Sequence, residues 1–287
     1  MTTLLFRVEG EDHGIDLATD TAPRTTEKLL SVLPLGTDVH CAKIAGSHIM
    51  CPVPFLARPE ALADVHAMPA GAFFYWPERQ YVELTYAPLQ AETASVIPLG
   101  RLTGDLAWLE EFAERQRREQ GTRTFPAELR LAGARVPATE GAPRCSSALG
   151  RIRDARRAAW RAEPAEVREL LARRGKMLPF GALHMAEGEL RKLQELLWLV
   201  WRDGDMGAPQ LAIARFAIEA AITRVGGFCH LSSTQSILAH GVAALEEDDA
   251  SEVLEELILY AGRMAAWLDA RMPWWAYNEA TLASLEG

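Results

Sequence analysis

The chain has 287 residues, a length that divides comfortably into two domains, each able to bury a core of its own. Its hydrophobic and charged fractions, 49% and 24%, are those of an ordinary globular protein, and its formal net charge of -9 argues against nucleic-acid binding, which needs a basic contact face. No apolar run is long enough to span a bilayer, and the opening Met-Thr-Thr-Leu-Leu-Phe-Arg lacks the basic-then-apolar order of a signal peptide, so the expectation is a cytoplasmic protein with no membrane partner.

Strand signals fill residues 1 to about 130, and almost only helical ones follow from about 143. The expected organisation is therefore a β domain over 1–130, a connector over 131–142 and an α-helical bundle over 143–287. Alternation over 4–9 and an extended run over 14–18 predict a hairpin turning through 10–13. A helix over 20–32 follows, with Thr21 as its cap and Pro23 near its start. Short strands are expected over 39–45 and 48–53, separated by Gly46-Ser47.

Residues 71–86 read as a hairpin in which two aromatic-rich runs flank Pro77-Glu78-Arg79-Gln80. On its second strand Tyr81, Glu83 and Thr85 share one face, and Val82, Leu84 and Tyr86 the other. Glu83 is then either on a solvated face or lining a pocket. A strand over 95–102 and a helix over 105–120 come next, and residues 121–142, rich in Gly, Pro and Thr, read as connector with one strand at 127–131. Six helices are expected beyond it, over 143–160, 164–174, 187–202, 208–225, 233–246 and 250–271. Leu190, Leu193, Leu197 and Val200 form one apolar stripe, and Leu254, Leu257, Ala261, Met264 and Leu268 another. Arg151 to Arg161 is basic but interleaved with Ala in a helical pattern, which suits a solvated helix face or an interdomain contact rather than a phosphate track. The four cysteines, Cys41, Cys51, Cys145 and Cys229, lack CxxC spacing and suit reduced thiols.

The motifs Gly71-Ala72-Phe73-Phe74-Tyr75-Trp76-Pro77, Leu84-Thr85-Tyr86-Ala87-Pro88 and Pro98-Leu99-Gly100-Arg101-Leu102, preceded by Ala22-Pro23-Arg24-Thr25, resemble in type and order those of the small bacterial cyclophilin-like barrels. Where many members of that group carry an acidic residue, Ala45-Gly46-Ser47-His48-Ile49-Met50-Cys51 carries His48. Such a barrel followed by a helical bundle with Glu187-Gly188-Glu189, a Leu-Leu-Trp helix and a Gly-Gly turn resembles the cucumopine and mikimopine synthases, and bacterial natural-product enzymes acting on tryptophan-like amines look like relatives of that group. The resemblance implies an α+β protein with a cyclophilin-like β-barrel and an all-α bundle. It also implies a cofactor-independent Pictet-Spengler-type cyclase of opine or natural-product biosynthesis, joining an aromatic amino acid or amine to an aldehyde or keto acid at the barrel mouth facing the bundle.

That chemistry needs a group able to give and take a proton near neutral pH. His48 is the first candidate, as general acid/base, against the alternative of a satisfied polar residue at a barrel rim. Glu83 is the second, as the base for the ring proton or the anion for an iminium. Tyr75, Trp76 and Tyr81 are candidates for stacking on substrate, Arg7 and Arg101 for pairing its carboxylate, and His184 and Glu187 for closing the pocket from the second domain. A metal site of His40, Cys41, His48 and Cys51 is awkward because neighbouring strand residues point to opposite faces. A Schiff base on Lys43 is not needed for an imine formed between two substrates, and a nucleophilic Cys41 or Cys51 needs a basic neighbour. Trp274-Trp275-Ala276-Tyr277 reads as an apolar anchor against the bundle or a homodimer partner. The competing reading is a peptide-binding or prolyl isomerase-like barrel with a partner-binding bundle, though the Arg, Phe and Gln order of such isomerases is not found.

Overall fold

A computed structural model describes residues 2–43, 46–89, 93–133, 146–172, 179–204 and 206–286. They form two units, Met1–Ala138 with Pro273–Gly287, and Thr139–Met272. In the first unit the order is β1 (Thr2–Val8), β2 (Glu11–Leu17), α1 (Pro23–Ser31), β3 (Leu35–Asp38), β4 (His40–Cys41), β5 (His48–Pro52), β6 (Ala63–Asp64), β7 (Ala72–Trp76), β8 (Tyr81–Thr85), β9 (Ser95–Leu102), α2 (Ala107–Glu119) and β10 (Pro126–Leu131). The strands form a nearly closed antiparallel barrel in the order β3-β10-β1-β2-β9-β7-β8-β5-β4, with β6 added to β9.

Closure depends on an interrupted strand. β3 pairs with β10 and β4 pairs with β5, so the stretch from Leu35 to Cys41 joins the two ends of the sheet. At the break the Val39 amide donates to the Phe125 carbonyl at 2.7 Å, and the Thr37 hydroxyl donates to the Pro52 carbonyl at 2.8 Å. The predicted single strand over 39–45 is thus two shorter strands that begin earlier. The strand expected over 127–131 is β10, a central strand between β3 and β1; from residue 134 on, the expected connector lies outside the described residues, as does Cys145.

The first hairpin turns more tightly than predicted. Val8 pairs with Glu11 across Glu9 and Gly10, whose φ values of 49° and 91° are both in the left-handed region that a two-residue hairpin turn uses. Helix α1 has no side-chain cap from Thr21 or its neighbours. Glu60 supplies it instead, accepting from the Thr25 amide at 2.9 Å and the Arg24 amide at 3.3 Å. Burial works against this carboxylate, but the hydrogen bonds from Thr25 and Arg24 prevail and hold its pKa below the ordinary value.

Gly100 is a point of close backbone approach. A Cβ there would lie 2.3 Å from the Asp16 carbonyl oxygen, a backbone atom that cannot rotate away. Gly100→Ala is expected to force β9 and β2 apart and to cost about 1–3 kcal/mol or more, read as a lower urea midpoint; an unchanged midpoint would show that the barrel relaxes freely there.

The second unit contains α3 (Ala148–Arg161), α4 (Ala165–Ala172), α5 (Pro179–Arg202), α6 (Ala208–Ile222), α7 (Ser232–Glu247) and α8 (Ala250–Ala270), with a π-helical turn at Thr223–Phe228. Asp249 caps α8 by accepting from the Glu252 amide at 3.0 Å, and the helix is buried along nearly its whole length. Its buried charges are partnered. Glu256 pairs with Arg156, and the Arg263 guanidinium lies 4.9 Å and 4.2 Å from the Trp160 and Trp267 rings while donating to the Ala159 carbonyl. Helix α9 (Trp274–Leu285), after Pro273, groups with the barrel, which corrects its assignment to the bundle: it packs on α2, and the Lys43 ammonium sits 5.5 Å from the Trp274 ring. No helix among the described residues is long and apolar enough to cross a membrane.

Candidate active site

The barrel sheet has two different faces. Side chains alternate along each strand, so the register Ile49↔Leu84↔Phe73 places these residues on one face together with Cys51 and Val82. They meet Phe6 and Leu129 from across the barrel around a void of about 10 Å³, too small to admit a substrate. The barrel interior is therefore packed core. Glu83, of the opposite parity, is turned away from this packed interior.

On that outer face the register runs His40↔Met50↔Glu83↔Phe74, with His48↔Thr85 one step along. This brings His48 and Glu83 together, with Nε2 3.4 Å from Oε2 and each residue 1% exposed. Outward does not mean solvated. The chain after β5 folds back over this side, where Val65, Met68 and Leu89 pack on Phe74 and Trp76. Thr85 fixes part of that cover by donating to the Pro69 carbonyl at 2.7 Å and accepting from the Ala72 amide at 3.1 Å. Met50, between His40 and Glu83 in the register, is only half-buried.

Burial pushes the His48 imidazole down from its ordinary 6.5 to about 4, and the positive charge of Lys43 acts in the same direction. At pH 7 the neutral ring then outnumbers the imidazolium by about a thousand to one. Among the described residues its Nδ1 has no hydrogen-bond partner. Cys51, on the interior face, is driven the other way. Burial, and then the negative charges of Asp38 and Glu83, raise its pKa, so it remains a thiol and is a poor nucleophile. Cys41 donates to the Gln120 side-chain oxygen at 2.6 Å. Neither cysteine shares a face with His48.

Helix α2 braces the turn that leads to His48. The Arg117 guanidinium donates to the Tyr86 hydroxyl at 2.6 Å, and Tyr86 donates to the Gly46 carbonyl at 2.7 Å. The residue before Arg117, Gln116, donates to the Val39 carbonyl at 3.2 Å. Gln116 and Gln120 continue the buried face begun by Leu109 and Phe112, at helical spacing. That spacing was visible in the sequence, but two glutamines on an apolar stripe do not reveal which backbone they hold.

The other predicted site residues divide. Trp76 and Tyr81 pair across the hairpin on the face of Glu83, and the Tyr81 ring lies 6.1 Å from that of His40. Tyr75 points into the barrel, stacked on Phe55 and donating to its carbonyl at 3.2 Å. Arg7 and Arg101, read as buried guanidiniums, are exposed; Arg7 sits opposite Asp12 near the end of the first hairpin, and Arg101 donates weakly to the Ala70 carbonyl at 3.4 Å. His184 and Glu187 lie on α5 in the second unit, where Glu187 accepts from Arg191 at 3.3 Å. His40 and His48 are on one face of the sheet and Cys41 and Cys51 on the other, and no cluster of three or more metal-ligating side chains occurs among the described residues.

No protein-family model and no curated protein matches the chain. Among solved structures, McbB in complex with tryptophan superposes with a TM-score of 0.79 at 17% identity, over 96% of this chain and 99% of that one. A hypothetical protein from Archaeoglobus fulgidus superposes with a TM-score of 0.35 at 18% identity, over 45% of this chain and 93% of that one. At 17% identity, the likeness to McbB is one of fold, and it spans barrel and bundle together.

Proposed function

We propose that the protein is a Pictet-Spengler-type cyclase that joins an aromatic amino acid or amine to an aldehyde or keto acid by general acid/base catalysis. The observation that carries the reading is the His48–Glu83 pair, an imidazole and a carboxyl group 3.4 Å apart and secluded from water. A buried proton-transfer pair on a strand face is costly to keep unless chemistry uses it. The motif resemblance to the cucumopine and mikimopine synthases supports the same reading, as does a fold shared with a protein solved with tryptophan bound.

In the proposed reaction the substrate amine adds to the carbonyl carbon and water leaves, giving an imine that is protonated to an iminium. The ring carbon attacks the iminium carbon, forming the new C–C bond while nitrogen takes back the electron pair. The proton left on the attacked ring carbon then departs and aromaticity returns. The Glu83 carboxylate holds the iminium charge and takes the ring proton. His48, uncharged at neutral pH, accepts that proton from Oε2 and delivers it to the imine of the next turnover, so that the carboxylate and the neutral imidazole are both restored. Trp76 and Tyr81 supply aromatic surface on the same face. Because neither catalytic group touches solvent, substrate reaches them as the cover moves, and Met50, which pairs with Glu83, is the half-buried position beside them.

Mass spectrometry tests this directly. Incubation with tryptophan or histidine and a panel of aldehydes and keto acids is expected to give a product equal in mass to the two substrates minus one water, at a rate proportional to protein concentration. If no pair gives such a product while isomerisation of a prolyl test peptide is accelerated, the protein is instead a peptide-binding barrel.

A further inference from the structure

Helix α6 is apolar on two opposite faces. Ala214, Ile218 and Ala221 are buried in the second unit, and on the other side Ile213 and Phe216 are 55% and 73% exposed. At 100° per residue, Pro209, Ala212, Ile213, Phe216 and Ala220 form one continuous outward stripe. Phe228, 59% exposed just beyond the helix, extends the surface at its C-terminal end under the Arg224 guanidinium, 5.6 Å from the ring. A half-solvated helix ordinarily carries polar residues on this side, and an exposed phenylalanine at the centre of an apolar stripe marks a contact surface.

We propose that this face joins two copies of the chain through an antiparallel pairing of their α6 helices about a two-fold axis. The charges beside the stripe point to a second copy. Arg215 and Glu219 lie on one flank, one turn apart and linked by a 3.0 Å ion pair, with Arg215 also reaching Glu246. A two-fold axis normal to two antiparallel helices brings each flank against the same flank of its partner, with the sequence direction reversed. An axis passing near Ala217 therefore sets Arg215 of each copy opposite Glu219 of the other, closing a ring of alternating charge beside the apolar centre. The small side chains of Ala212 and Ala220 leave room on either side of the Phe216 ring for its counterpart to enter. The surface is complementary to itself in charge as well as in shape, which an unrelated partner would have no reason to match. A helix pair alone buries less than the roughly 1,200–2,000 Å² of a stable interface, so the surface around Phe228 contributes too.

The proposal does not depend on the reaction at Glu83. Sedimentation velocity of the full chain over a range of concentrations is expected to show a two-chain species. Phe216→Glu should give a monomer with unchanged circular dichroism and thermal midpoint, since the residue contributes nothing to its own unit's core. Arg215→Glu and Glu219→Arg, each placing like charges across the axis, should each weaken the dimer at least tenfold, and the double exchange should restore it. A wild-type chain that stays monomeric at its highest soluble concentration overturns the proposal. So does a dimer whose dissociation constant is the same in the wild type and in both single charge reversals, because its interface then lies elsewhere.

Discussion

Glu83→Gln is expected to leave a folded protein whose cyclisation turnover is lower by about 10²–10⁴-fold, the usual contribution of a positioned general base. The amide has nearly the shape of the carboxyl group, so packing against Phe74 and beside His48 is retained. What it lacks is an oxygen that can take a proton and a charge that can face an iminium. The loss should fall on kcat rather than KM, since both missing interactions belong to the transition state and not to the bound substrates. Glu83→Asp separates the two roles. It keeps charge and basicity but withdraws the carboxylate by the length of one methylene, and a displacement on the order of 1 Å is enough to cost about 100-fold. A Glu83→Gln enzyme turning over within a few-fold of wild type would remove this residue from the chemistry and leave the buried pair a structural feature.

How far this site was legible in the sequence depends on which kind of regularity each part needs. The two-residue period of the 71–86 hairpin was enough to place Tyr81, Glu83 and Thr85 on one face, and the structure keeps them there. The same parity also assigns Tyr75 and Trp76 to opposite faces, so only one of them can stand beside Glu83. Alternation does not say which face is covered. Arg7 and Arg101 lie on well-formed strands and are exposed, whereas Glu83 is turned away from the barrel interior and yet buried, because the chain beyond β5 returns over it. The distance between His48 and Glu83 is set by the pairing of β5 with β8, a non-local choice with no signature in either segment.

Barrel closure was hidden for a related reason. β3 and β4 are short and broken at Val39, so the strand expected over 39–45 misses β3, and β10, expected over 127–131, carries no mark of the two strands that it joins. The helical half was more legible because amphipathic helices announce their own periodicity; each of its six expected helices is present, though α5 begins at Pro179, eight residues before the expected start. Helix α9 escaped because its hydrophobic residues follow no stripe, and none of them is buried.

Acidification should reveal the state of His48 through stability alone, with no substrate. The imidazole titrates near 4 in the folded protein and near its ordinary 6.5 in the unfolded chain. Above pH 6.5 both states hold it neutral, and it contributes nothing to the pH dependence. As the pH falls from 6.5 towards 4 the unfolded chain takes up a proton that the folded protein refuses, so stability drops by about 1.4 kcal/mol per pH unit, in total about 3 kcal/mol. Carboxylates and the remaining histidines titrate too, but they are common to the wild type and to His48→Gln, which keeps a polar group near the Nε2 position without a titrating proton. The difference in unfolding free energy between the two proteins, from urea denaturation at pH 7 and at pH 4, therefore isolates the imidazole. Wild type should lose about 3 kcal/mol more than the variant over that interval. Parallel curves would mean that His48 titrates normally. A wild type that instead gains stability relative to the variant on acidification would show that the buried pair ionises together, as imidazolium and carboxylate, and the proton relay from Glu83 to His48 would have to run in the opposite direction.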